Sequence, residues 1–328
     1  MSSHFANKKV LITGGIGFIG SNLAIELVNQ GAEVTLVDSM IPLYGAKLFN
    51  VEPIKDQVHI NFSDIRDSHS LGFLVQNKDY IFSLAGQLSH IDSMTDPFTD
   101  LEINCSSQLS LLECCRHNKV NPKIVFASTR QLYGKPQYLP VDEKHPLQPV
   151  DVNGINNLAA EQYYTLYHQV YGMRTVSLRL TNTYGPRMDV NSTSKGFLGV
   201  FMRLVLDGKD LKLFGDGQQR RDFNYVDDVV SALLIAAEQD SIDGGVFNLS
   251  HPVPYSLQTV VEYLQEIAPI NYEIVPFPED RKKIDIGDYF GSSALFEEKT
   301  GWKPTIDLRE GLQKTYEFFH LNRSEYLV

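Results

Sequence analysis

Short apolar runs and longer amphipathic stretches alternate through the first half of the chain. "KVLIT", "EVTLVD", "VHINFSD", "DYIFSLAG", "KIVFAST" and "RTVSLRLTN" read as strands. The helical patterns run from Phe18 to Gln30, stopped by Gly31, from Thr95 to Asn118, and from Val152 to Tyr171. Strands alternating with helices predict parallel pairing with helices on both faces, an α/β doubly wound sheet. Beyond Asn182 the pattern loosens, and loops such as "GPRMDVNSTSKG", "FGDGQQRRDF" and "VPFPEDRKKIDIGD" separate shorter elements. This predicts a first domain over residues 1–182, rejoined by segments near 225–250 through "GVFNLS". A smaller, loop-rich portion over 183–328 would pack on the sheet's C-terminal edge. Repeats, low-complexity tracts and flexible linkers are absent from the sequence.

Composition narrows the function classes. A chain of 328 residues with a formal net charge of -11 lacks the basic clusters of a phosphate-tracking nucleic-acid binder. Arg281, Lys282 and Lys283 form the nearest basic run, which is too short to change that expectation. Cys105, Cys114 and Cys115 have no metal-ligand spacing, so they read as small structural thiols and no metal is expected. Reduced thiols, no signal peptide and no membrane-length apolar run together predict a cytoplasmic protein with no membrane partner.

The first strand runs into "TGGIGFIGSNLAIELV", which sets Gly14, Gly17 and Gly20 at a strand-to-helix turn, with Phe18 and Ile19 opening the helix. Gly15, Gly17 and Gly20 also satisfy the dinucleotide spacing of glycines. Such glycines permit a tight turn, let backbone N–H groups approach a pyrophosphate and let helix pack close to strand. About twenty residues on, Asp38 closes the second strand, placed for adenosine ribose hydroxyls. Ser39 and Met40 follow it rather than an arginine, so NAD is expected over NADP. Asp64 and Ile65 after the third strand would face adenine. Leu84, Ala85 and Gly86 after the fourth would pass under the diphosphate and nicotinamide ribose. The fold expected is therefore Rossmann-type.

"TGGIGFIG", "FASTRQLYG", "LRLTNTYGPR", "GDGQQRRDFNYVDDVV" and "TGWKPTIDLREGLQKT" together resemble the extended short-chain dehydrogenase/reductase family, its nucleotide-sugar epimerase, dehydratase and decarboxylase branch. The resemblance covers nearly the whole chain. It implies that Thr129 hydrogen-bonds the sugar hydroxyl being oxidised while hydride passes to NAD. It also implies a tyrosinate that removes the hydroxyl proton and a lysine four residues on that lowers its pKa. Aligning "NGINNLAAE" with that motif puts Asn153 on the tyrosine and Asn157 on the lysine, which also holds the nicotinamide ribose, so Asn157 is expected beside the cofactor. A neutral amide takes no proton near pH 7 and supplies no cation. Tyr164 shares the helix face of Asn153 but lies about 16 Å along the axis, too far to replace it, and Tyr163 fails for the same reason. His90, Asp92, Tyr133, Asp151 and Tyr184 arrive from other loops. Of these, His90 is the candidate substitute base, following the fourth strand at the substrate edge and titrating in the useful range. The competing reading makes it a loop residue with a hydrogen bond.

For the substrate, the resemblance implies a nucleotide-diphosphate sugar clamped by Arg221, Arg281 and Asn182, with Arg220 and Arg187 as further arginines nearby. Guanidinium forks suit phosphate oxygens. The segment from Lys195 to Phe201, with Lys195 and Phe197, would hold the base. Family members pair two long helices with those of a second subunit. Leu109, Leu112, Leu158 and Leu166 on the corresponding helices here predict a homodimer built on a four-helix contact. Two readings stay open: an NAD-dependent epimerase or dehydratase with an atypical acid/base group, or a non-catalytic binding or regulatory protein. An engineered or damaged epimerase is a third. Retention of Thr129 favours the enzyme, because a pure binder has no use for it. A carboxylate at Asp38 repels a 2′-phosphate, so titration of the protein is expected to show clear preference for NAD over NADP. Asp38→Ala is expected to weaken NAD binding; equal affinity of the unaltered protein for both dinucleotides would contradict the assignment.

Overall fold

The computed structural model describes residues 3–41, 44–192, 196–277 and 286–327. Its centre is a seven-stranded parallel sheet. In chain order its strands are β1 (Lys9–Thr13), β2 (Glu33–Val37), β3 (Val58–Asn61), β4 (Tyr80–Ser83), β5 (Lys123–Thr129), β6 (Thr175–Leu180) and a last strand, Val246–Leu249. Across the sheet the order is Val246–Leu249, β6, β5, β4, β1, β2, β3. The order reverses between β1 and β4, where an open sheet leaves a crevice at its strand ends.

Side chains alternate across the strands, so neighbouring residues enter different cores. Val10, Ile12, Phe82 and Val125 pack with Leu23 and Leu27 of α1 (Phe18–Asn29) and with Val229 and Leu233 of the later helix Val226–Glu238. Leu11, Ile81, Ile124 and Phe126 face the other way. They meet Leu71 of α2 (Ser68–Leu74), and Leu111 and Leu112 of a helix leading into β5.

The single helix expected from Thr95 to Asn118 is broken. One helix, α3, covers His90–Thr95, and α4 covers Pro97–Leu101. A wider, π-type turn over Glu102–Ser106 then leads into α5 (Ser107–His117). Pro97 has no N–H to continue α3, and the Asp96 side chain accepts from Thr99 N to start α4 afresh. Leu112, read from sequence as surplus apolar surface, is fully buried against the sheet. By contrast, α6 (Val152–Tyr171) has the expected bounds. Asp151 caps its N-terminus by accepting from Gly154 N, and Gly172 ends it at φ 66°, a left-handed conformation that suits glycine.

The remainder is built around α7 (Phe197–Leu206), the helices Leu257–Ile267 and Leu308–Leu321, and short strands. It has its own core of Leu198, Met202, Leu213, Val260, Leu264 and Leu312. Behind the strand ends lies a buried polar knot. Glu161 on α6 accepts a guanidinium fork from Arg179 on β6, Nε to Oε2 at 2.9 Å and Nη2 to Oε1 at 2.6 Å. Ser128 on β5 donates to Glu161 Oε2 at 2.8 Å. Arg179 Nη1 donates to the Tyr133 hydroxyl, which in turn donates to Asn248 Oδ1 on the last strand at 2.7 Å.

Candidate active site

The C-terminal ends of the strands open into one cleft of about 550 Å³. Its cradle starts at Gly14, whose N–H bonds Val37 O at 2.8 Å while φ stands at +67°. A side chain at Gly14 would lie 2.9 Å from the Ala85 backbone, and one at Gly20 only 2.2 Å from Gly14 O. The turn therefore needs glycine both for its left-handed backbone and for the close seat of α1, whose first N–H groups are left at the cleft. Phe18, Ile19, Ile65, Leu84, Ala85 and Gly86 line the same space, as do Gly17 and Asp64. Asp38 also lines it. Its two carboxylate oxygens accept from Ile16 N at 3.1 Å and Met40 N at 2.9 Å. Burial raises its pKa above the usual carboxylate value, and those two donors oppose the rise. Asp64 is turned onto Arg66, whose fork meets it at 2.9 and 2.7 Å and holds its pKa down.

At the other half of the cleft β5 ends in Thr129. The Thr129 Oγ1 accepts from Gln131 N at 3.2 Å, which leaves the hydroxyl hydrogen to be donated elsewhere. Gln131 Oε1 and Thr183 Oγ1 are buried and have no hydrogen-bond partner among the described residues, and both residues line the cleft. Orphaned buried acceptors of this kind ask for a ligand's hydroxyl groups. Neither residue is singled out by the sequence pattern. Gln131 carried a signal, since it shares the "STRQLYG" segment with Thr129, whereas Thr183 is one polar residue among many.

Asn182, Phe197 and Arg221 reach this half too. Asn182 Nδ2 donates to Asp222 O at 2.9 Å, and the buried Arg221 donates from Nη1 to Arg220 O at 2.8 Å and Gly287 O at 2.5 Å. Arg220 is turned away onto Asp288 at 2.8 Å. Arg187 is held by Asn50 O and Asn22 Oδ1. Lys195 and Arg281 lie outside the described residues.

Asn153 and Asn157 line the cleft but are buried in a network of amides. Asn153 Nδ2 donates to Gln87 O at 2.7 Å and to Asp100 Oδ2 at 3.0 Å. The other Asp100 oxygen accepts from Asn156 Nδ2 at 2.7 Å, and Asn157 Nδ2 donates to Asn153 O at 2.9 Å. Asn104, in the π-type turn, grips Gln87 by both its N–H and its C=O. Asp100 is thus a fully buried carboxylate neutralised by no cation among these contacts and solvated by two side-chain amides.

The tyrosines weighed as replacements are occupied elsewhere. Tyr164 is fully buried and donates to Gln108 Oε1 at 2.8 Å. Tyr133 belongs to the Arg179 knot, where burial pushes its pKa up to about 12. Tyr184 is buried in the C-terminal core, its hydroxyl directed at Asp307 and Leu308 carbonyls. Asp92 is not among the cleft-lining residues. His90 is one of them, and its Nδ1 pairs closely with Asp151 Oδ2.

A sheet of this order with a glycine cradle at its switch point and a polar second half to the cleft defines a dinucleotide-binding protein with a second ligand beside the dinucleotide. Residues 10–250 match the model of the NAD dependent epimerase/dehydratase family. The UDP-glucose 4-epimerase of Mycolicibacterium smegmatis is 31% identical over 323 residues, spanning 97% of this chain and 100% of that protein. The crystal structure of Thermotoga maritima UDP-glucose 4-epimerase with UDP-glucose superposes with a TM-score of 0.87 at 30% identity, over 96% of this chain and 99% of the other. The Thermus thermophilus enzyme complexed with NAD gives 0.83 at 31% identity, over 95% and 98%. The chain belongs to the NAD dependent epimerase/dehydratase family. Its glycine cradle and its open acceptors fit a dinucleotide and a hydroxyl-rich partner, respectively.

The amide network sets a cost on placing a phenol at position 153. Asn153→Tyr would remove the Asn153 donor from the buried Asp100 Oδ2, leave Gln87 O with Asn104 alone and add bulk at a buried position. It is expected to lower the unfolding free energy by about 2–3 kcal/mol in urea denaturation. Unchanged stability would show that the network can release Asn153 freely.

Proposed function

We propose that this protein is an NAD-dependent nucleotide-sugar epimerase in which Asn153 and Asn157 stand where relatives carry a tyrosine and a lysine, and His90 moves the proton. NAD, when bound, accepts a hydride from a sugar carbon and returns it. The chain's own residues supply the rest. The cradle of Gly14, Gly17 and Gly20 with Asp38 holds the dinucleotide, Asn157 borders its nicotinamide ribose, and Arg221 with Asn182 engages the diphosphate of the sugar nucleotide. Lys195 and Arg281 belong to the same proposal by their sequence context. Thr129 donates its hydroxyl hydrogen to the sugar oxygen.

One observation carries the choice of epimerase over dehydratase. Among the described residues, the carboxylates lining the cleft are Asp38, Asp64 and Asp189. Asp38 and Asp64 follow β2 and β3, and a Cβ at Gly45, beyond β2, would lie 3.2 Å from Asp189 Cβ. Around β4 and β5, the described side chains lining the cleft include the neutral Gln87, Thr129, Gln131, Asn153 and Asn157, the guanidinium of Arg130 and the imidazole of His90. Dehydration needs one group to protonate the departing hydroxide and another to take a carbon-bound proton. Epimerisation through a transient ketone needs a single group that takes the hydroxyl proton and gives it back.

The experiment is incubation with UDP-, dTDP- and CDP-hexoses, followed by mass spectrometry and proton NMR of the sugar. The expected product has unchanged mass and inverted configuration at one carbon. Loss of one water would make the protein a dehydratase, and tight binding without turnover would support the non-catalytic reading.

We also propose a homodimer. Met94, Phe98, Ile155 and Leu166, on α3, α4 and α6, are 56%, 75%, 54% and 47% exposed, more apolar surface than a helix turned to water normally carries. No helix among the described residues is long and apolar enough to cross a membrane, which fits a cytoplasmic setting. Light scattering at micromolar concentration is expected to give twice the chain mass, and Phe98→Glu to reduce it to that of the monomer; a wild-type monomer would end the proposal.

A further inference from the structure

We infer that Asp151 is a positioning residue for proton transfer: it fixes His90 in the one tautomer that can act as a base toward the sugar hydroxyl. The inference rests on the epimerase reading above and names how its acid/base group is built.

Asp151 is nearly inaccessible, with 1% of its side chain exposed, whereas the His90 side chain is 38% exposed at the cleft. The two carboxylate oxygens are divided between two tasks. Oδ1 accepts from Gly154 N at 2.7 Å and caps α6. Oδ2 takes His90 Nδ1 in a short contact. A carboxylate only accepts, so Nδ1 carries the hydrogen, and Nε2 keeps its lone pair. Nε2 makes no hydrogen bond to the described residues. The ring itself is placed by the start of α3, where Ser89 accepts from Asp92 N and Ser93 Oγ donates to His90 O. Two rigid helix starts therefore meet at one imidazole.

A cap alone does not require this residue. Serine or asparagine would satisfy Gly154 N as well as aspartate does. Serine is too short to keep the imidazole contact as well, and asparagine would present Nδ2–H to the ring and turn its tautomer round. Only a carboxylate caps the helix, orients the ring as a base and stabilises the imidazolium once the proton has arrived. The chemistry balances. The sugar O–H bond breaks and its proton goes to Nε2; the adjacent C–H bond breaks and its hydride goes to NAD; a C=O bond forms. Return of the hydride to the opposite face, and of the proton from Nε2 to oxygen, gives the epimer with no net oxidation.

The test compares Asp151→Ser, Asp151→Asn and His90→Gln in the full chain. Both Asp151 variants retain the cap, so melting close to wild type is expected. In long-range 1H–15N NMR of the ligand-free protein, wild-type His90 is expected as the Nδ1–H tautomer. Asp151→Asn should convert it to Nε2–H, and Asp151→Ser should give a mixture. Epimerisation is expected to lose about 10²-fold or more in kcat in Asp151→Asn and in His90→Gln, with KM retained. Combining His90→Gln with Asp151→Ser should cost no more than His90→Gln alone, because the groups act as a unit. An Nε2–H tautomer in the wild type overturns the inference, and so does a wild-type kcat in Asp151→Asn. A wild type that turns over no nucleotide sugar overturns the epimerase reading instead, and the tautomer measurement stands apart from that failure.

Discussion

The buried fork between Arg179 and Glu161 is the constraint on which the rest of the structure depends. Two charges taken out of water must neutralise each other and fill every remaining hydrogen bond, or the site is strongly destabilising. Here Ser128, Tyr133 and Asn248 complete the set. The knot thereby fastens β5, β6, α6 and the last strand of the sheet at one point. Thr129 is the residue after Ser128, and Asn157 lies one helical turn before Glu161. The cleft's floor is therefore located by electrostatics deep in the protein, and the residues facing ligand inherit their positions from it.

Much of the fold was legible because its signals are local. Strands flanked by glycine turns and a helix with an acceptor at its cap give boundaries that packing does not alter, as in β1 and α6. The helix from Thr95 to Asn118 was misread because its apolar spacing continues through Pro97. The Asp96–Pro97 pair was the available sign of a restart. Leu112 was misassigned for a related reason: the sequence shows that a residue is apolar, not which of two apolar surfaces it meets.

A place in the cleft was legible where backbone geometry sets it, as for Gly14, Gly17, Gly20 and Asp38, all of which line it. It was illegible where a side chain's role depends on partners far along the chain. Asn153 reads in sequence as a lost phenol, yet its amide solvates a carboxylate 53 residues away in a different helix. Asp151 reads in sequence as one of several residues arriving from loops, and only folding shows it capping α6 with one oxygen while a histidine from 61 residues earlier meets the other. Gln131 shares a segment with Thr129, but that its oxygen and that of Thr183 are orphaned could not be read from sequence, because an unmet hydrogen bond is a property of packing.

The last strand of the sheet, Val246–Leu249, pairs with β6 although the chain between them first builds part of the second half of the molecule. That arrangement bears on how the protein is made. When β6 has left the ribosome, one edge of the sheet still exposes its ladder of N–H and C=O groups, and Tyr133 and Asn248 have yet to meet. At about 5–20 residues per second, the 69 residues from Leu180 to Leu249 take roughly 3–14 s to synthesise. For that interval the nascent cofactor half carries an open strand edge, the kind of surface on which chains aggregate. The protein is therefore a single unit in synthesis, however readily its two halves are told apart by eye.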